Sequence, residues 1–138
     1  MSRKVLYIEV ADTPYKQQQG LMFRKHLPKH AGMLFKFPKS RKLQFWGMNT
    51  FIPLDIAFIS EENKITKIGR IKPYDLTAVA SDEDCCMALE ANDGYFGSNG
   101  IKIGDVIKVD REDNTDIIVF GPDDKVPISL EIFLARRL

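Results

Sequence analysis

The chain has 138 residues, 44% of them hydrophobic and 28% charged, and its 20 Lys and Arg against 19 Asp and Glu leave a formal charge of +1. That length suits a single domain able to bury its own core without metal or disulfide support. The even balance argues against a general nucleic-acid binder, which carries a concentrated basic excess, and no apolar run is long enough for a membrane-spanning helix.

In chain order, the opening MSRKVLYIEVADTP is too short and too charged for a signal peptide, so the expected location is the cytoplasm. Val5, Tyr7 and Glu9 interleave with Leu6, Ile8 and Val10, which predicts a strand with one well-buried face. Thr13-Pro14 supplies an N-cap hydroxyl and a proline at the first helical position. A short helix is predicted to follow through YKQQQGLMFR, weakened by Gly20. Gln17-Gln18-Gln19 reads as a tract too short to matter.

From Pro28 onward, short apolar runs alternate with Pro, Gly, Asn and Asp: GMLFKF, LQFW, PLDIAFIS, KITKIGRI, CMALEAN, GIKIGDVIKVD, TDIIVFG and VPISLEIFL. Ser60-Glu61-Glu62-Asn63, Asp93-Gly94 and Gly121-Pro122-Asp123-Asp124 read as turns. The fold class expected is mainly β. It is a single-domain sandwich or barrel-like fold of short, mostly antiparallel strands, with one or two short helices near the N-terminus.

The familiar catalytic signatures are absent, among them the nucleophile elbow, the phosphate-binding loop and the zinc-protease helix. His26 and His30 have helical metal-ligand spacing, but Pro28 between them favours solvated loop histidines, and no metal or other cofactor is expected. Cys85 and Cys86 are adjacent, so one points inward and one outward, and a bond between them would be strained. A vicinal redox pair or a soft-metal site is the alternative reading.

The candidate site residues are polar groups set in apolar surroundings: Arg24 after Met22-Phe23, Asn49 and Thr50 after Trp46, Asp55 between Leu54 and Ile56, and Glu90 between Leu89 and Ala91. An acid removed from water usually has a partner, and Arg24 is the natural one because its planar fork binds a carboxylate through two parallel bonds. Asn49 also fits a simple chain-reversing turn, and Trp46 fits a core or rim anchor. Alternatively, these residues surround one cleft, in which Asp55 and Glu90 serve as acid and base.

Several ordered motifs carry a family resemblance: GLMFR (20–24), LPKHAGMLFKF (27–37), FW-x-x-NT-x-IPLDI-x-FI (45–59), KP (72–73), LEANDG (89–94) and GIKIGD (100–105). Together they resemble the family catalogued as domain of unknown function 192, with a core at about 5–109 and residues 110–138 as a β extension of the one domain, 1–138. The resemblance implies a compact, mainly β domain and brings no activity, substrate or cofactor. It marks Arg24, Trp46, Asn49, Thr50, Asp55, Glu90 and Asp105 as motif positions. The family usually has Met-Lys or Met-Arg where this chain has Gly47-Met48, so a cation is missing there unless Lys42 or Lys72 replaces it. Gly47 also permits torsions that methionine resists.

The preferred functional expectation is a binding module for a small polar or glycan-like ligand, with a pocket formed by Trp46, Asn49, Thr50, Asp55 and Glu90, and Arg24 orienting the acids. A hydrolase using Asp55 and Glu90 is the second reading. The third is a structural subunit, a homo-oligomer joined through the C-terminal strands. Nucleic acid and membrane are not expected partners.

Overall fold

β1 (Lys4–Ala11) realises the alternation of the N-terminal stretch: Leu6 and Ile8 enter one core, while Tyr7 and Glu9 face the other side of the sheet. The computed structural model describes residues 4–123. After β1 come α1 (Pro14–Gln19), β2 (Ala31–Arg41), β3 (Gln44–Phe45), β4 (Leu54–Ile59), β5 (Ile65–Ile71), β6 (Val79–Ala80), β7 (Cys85–Asn92), α2 (Tyr95–Ser98), β8 (Val106–Glu112) and β9 (Thr115–Gly121). The fold is mainly β, as expected. Only α1 lies near the N-terminus; α2 follows the Asp93-Gly94 turn, late in the chain.

Seven strands form one sheet in the order β5-β4-β7-β2-β1-β9-β8, while β3 and β6 pair separately. Within the large sheet only the β1–β2 pair is parallel. The two edge strands meet at their starts. Ile65 N donates to Asp105 O at 2.9 Å, Gly104 N to Ile65 O at 2.8 Å, and Ile107 N to Asn63 O at 2.9 Å. A Lys64–Val106 bridge completes the contact, so the sheet curls into a barrel fastened at one end. Asp105 holds the fastening turn by accepting from Lys102 N at 2.9 Å. The contact covers the starts of the two edge strands, which would otherwise be open to another chain.

All seven strands contribute to the inner core, which includes Leu6, Leu34, Ala57, Ile65, Leu89, Ile107 and Ile118, and Tyr95 and Phe96 of α2 plug it. A second core lies on the outer face of β1, β2, β7, β4 and β5, where Leu21, Leu27 and Leu43 of a cap cover Met33, Phe35, Ile56 and Phe58. Asn92 fastens the cap, donating to Leu27 O at 2.9 Å and Pro28 O at 3.0 Å. Gln17 fastens α1 by donating to Lys36 O at 2.7 Å.

α1 starts as read, with Thr13 Oγ1 accepting from Lys16 N, but it stops at Gly20 (φ 49°) rather than running on to Arg24. Gly20 turns the chain so that Leu21 enters the outer core. β9 pairs with β1 on one side and β8 on the other, so the described part of the C-terminal extension is an integral strand. The remaining expected strand, at 126–134, and Arg136-Arg137 lie outside the described residues. Among the described residues no helix is long and apolar enough to cross a membrane.

Candidate functional site

Between the cap and the outer face of the sheet lies a cavity of about 550 Å³, within the size range of small-molecule sites. Glu90 of β7 forms part of its wall. Registers Met33–Glu90 and Ile56–Glu90 set the carboxyl among outer-core side chains, and only 5% of the residue is exposed. Among the described residues Glu90 has no hydrogen-bond or ion-pair partner. Among the described residues no side-chain oxygen fully shut off from solvent lacks a partner, so the Glu90 carboxyl is open to the cavity. Burial pushes it up to about 8, because the charged form has lost its water and gained nothing in exchange.

Three of the expected site residues meet here: Trp46, Thr50 and Glu90 all line the cavity. Trp46 is 52% exposed at the rim, with its ring available to a ligand. Thr50 is buried, donates to Met48 O at 3.3 Å and holds the loop.

The other three do not join them. Asp55 pairs in register with Ala91, one residue out of step with the Ile56–Glu90 pair, so it faces the inner core. There its Oδ2 accepts from Phe96 N at 3.3 Å and secures the first turn of α2. The expected Asp55–Glu90 acid/base pair is therefore split across the sheet. Arg24 binds neither acid. Its guanidinium forks onto Glu9, with Nη2 to Oε1 at 2.9 Å and Nη1 on Oε2. The Arg24 hydrogen bond holds Glu9 below the usual carboxylate range. Asn49 has a left-handed backbone (φ 54°), its carbonyl accepts from Phe23 N at 2.9 Å, and it lies outside the cavity lining. Its side chain makes no hydrogen bond among the described residues, so the turn rests on backbone conformation.

Gly47 is required by space rather than by torsion. A Cβ there would lie 2.0 Å from Lys72 O, because the strap at residues 72–75 crosses it: Gly47 N donates to Asp75 O at 2.6 Å and Tyr74 N to Gly47 O at 2.9 Å. Of the two candidate replacement cations, Lys42 lines the cavity and Lys72 does not.

Other lining groups escaped the sequence reading. Gln18 and Gln19, part of the tract dismissed as too short, form a wall with Met22, and Arg41 lines the cavity beside Lys42. Gln18, Gln19 and Met22 also border a neighbouring hollow of about 350 Å³ that ends on Tyr15 and Phe23. The signal available in sequence was the helical spacing of Tyr15, Gln18/Gln19 and Met22, residues that border one hollow.

The thiols fit the simpler reading. Cys85 is buried and Cys86 partly so, both are free, and burial raises both above the ordinary thiol value, away from the reactive thiolate. No cluster of three or more metal-ligating side chains occurs among the described residues.

The architecture is that of a small, end-fastened β-barrel with a capped cavity around one unpaired acid. The chain belongs to the family of domain of unknown function 192, described as Uncharacterized ACR, whose model matches residues 1–109. It is similar to a solved protein of Sinorhizobium meliloti 1021, provisionally described as a transcription regulator: 34% identity over 73% of this chain and 79% of that one, TM-score 0.72. It is also similar to a protein of unknown function from Novosphingobium aromaticivorans DSM 12444, with 36% identity over 73% of each chain and a TM-score of 0.71. No curated protein matches the chain.

Proposed function

We propose that the protein is a small binding module whose site is the cavity around Glu90, taking a small polar or glycan-like ligand. The observation behind this is the unpaired Glu90 carboxyl. No protein group among the described residues satisfies this carboxyl, and it opens to the cavity, so a ligand oxygen there would gain a hydrogen bond that the protein leaves unmade. Trp46 offers a flat apolar face at the rim, and the Gln18, Gln19 and Gln44 amides offer donors and acceptors along the walls. That mixture suits a ring bearing hydroxyl groups. The hydrolase reading loses its second carboxylate, because Asp55 is spent on α2 on the other face.

The two unpaired thiols suit a reducing compartment and support a cytoplasmic location.

A thermal-shift screen with sugars and small polar metabolites tests the binding reading. A stabilising ligand whose effect disappears in Glu90→Ala and weakens in Trp46→Ala is the expected result. Ligands whose effect ignores both substitutions would sink it.

A further inference from the structure

Every described residue lining the cavity except Glu90 comes from positions 14–50. From position 13 to position 54 the chain carries eight of its twenty Lys and Arg and none of its nineteen Asp and Glu. The near-neutral overall charge therefore conceals a cationic stretch of chain, which supplies both the cap and β2. Nearby, Glu9 shares the outer face with Glu90, with Met33 between them in register, but Arg24 already occupies it.

Two cations of this stretch, Arg41 at the end of β2 and Lys42 just after it, line the cavity and are exposed. Neither is in an ion pair among the described residues; the Arg41 guanidinium rests over the Phe37 ring, 4.9 Å from its centroid. With Glu90 they are the only titratable groups in the lining among the described residues. Clustered cations without carboxylates attract anions and raise their local concentration. The floor does not oppose this. With its carboxyl raised to about 8, Glu90 is mostly protonated at neutral pH and can donate a hydrogen bond to a ligand instead of repelling it.

We infer that the ligand of this cavity is a sugar-sized organic oxyanion, its carboxylate or phosphate held by Arg41 and Lys42 and its hydroxyl-bearing body set between Trp46 and the Glu90 carboxyl. The inference rests on the binding reading above and adds the charge of the ligand. A guanidinium beside an ammonium is a suitable anchor for either oxyanion. The unused amides of Gln18 and Gln19 face the neutral body.

Calorimetric titration with glucose, glucuronate and glucose 6-phosphate separates the possibilities. At least one acid is expected to bind about tenfold or more tighter than glucose, with the difference shrinking as salt rises. Which acid wins identifies the group as carboxylate or phosphate. The Arg41→Ala, Lys42→Ala double variant, altered only at exposed positions, should fold and bind the acids no better than glucose. Equal binding of all three sugars, or acid binding unchanged in the double variant, overturns the anionic assignment and leaves the binding module standing. No binding of any of them counts against both. Tighter binding of a single-stranded oligothymidylate than of either acid replaces the small ligand with a nucleic acid and overturns the inference.

Discussion

Asp55 and Glu90 lie on adjacent, hydrogen-bonded strands one register step apart, and they face opposite sides of the sheet. That step decides their fates. Asp55 turns inward and holds the backbone of α2. Glu90 turns outward into a cavity with no partner of its own. One sheet thus converts two similar-looking acids into a structural group and a candidate ligand group.

The raised Glu90 carboxyl sets a pH dependence of stability. Its value in the fold is about 8 against an ordinary 4.5, so across that window the folded state binds more protons than the unfolded chain. Stability is greatest below the ordinary value, falls as pH rises towards about 8, and levels off beyond. Urea denaturation across the window should show a loss of about 2–4 kcal/mol, absent in Glu90→Gln, which should be the more stable protein at the alkaline end.

Asp55→Ala should destabilise the fold by about 1–3 kcal/mol, because it leaves the Phe96 N–H buried without an acceptor. Binding in the cavity should persist in the folded fraction, since Asp55 is on the far face. Denaturation curves and ligand titration of the same variant check both parts.

Gly47→Ala places a methyl where Lys72 O stands, 2.0 Å away, with backbone rather than a flexible side chain as the obstacle. The strap at 72–75 must move and lose its hydrogen bonds to residue 47. A loss of about 2 kcal/mol or more in chemical denaturation is expected, within the range for overpacked sites.

By contrast, the Arg24–Glu9 pair is partly exposed, with side chains 37% and 55% accessible. A double-mutant cycle on Arg24→Ala and Glu9→Ala should return a coupling of about 1 kcal/mol or less. A much larger coupling would show that the pair organises the cap.

The β character of the fold was legible because alternation and turn residues are local signals. The inner faces of β1 and β7 follow directly from Leu6-x-Ile8 and Met87-x-Leu89-x-Ala91. The side taken by Asp55 was not legible, because β4 is buried at all six positions and gives no alternation to read, so its separation from Glu90 stayed hidden. The Arg24–Glu9 pairing joins a cap loop to β1 and depends on how the cap is draped. Phe23 and Tyr74 have left-handed backbones without being glycine, so no composition signal announced those turns. The role of Gly47 depends on the strap, more than twenty residues later in the chain.

The most direct test is a carbon-13 NMR titration of the Glu90 carboxyl, alone and with glucuronate or glucose 6-phosphate. A midpoint near 8 in the free protein, moved higher by the ligand that binds, is the result expected of an unpaired acid donating into an occupied cavity. A midpoint in the ordinary glutamate range, or one that ignores a ligand shown to bind, would contradict the account.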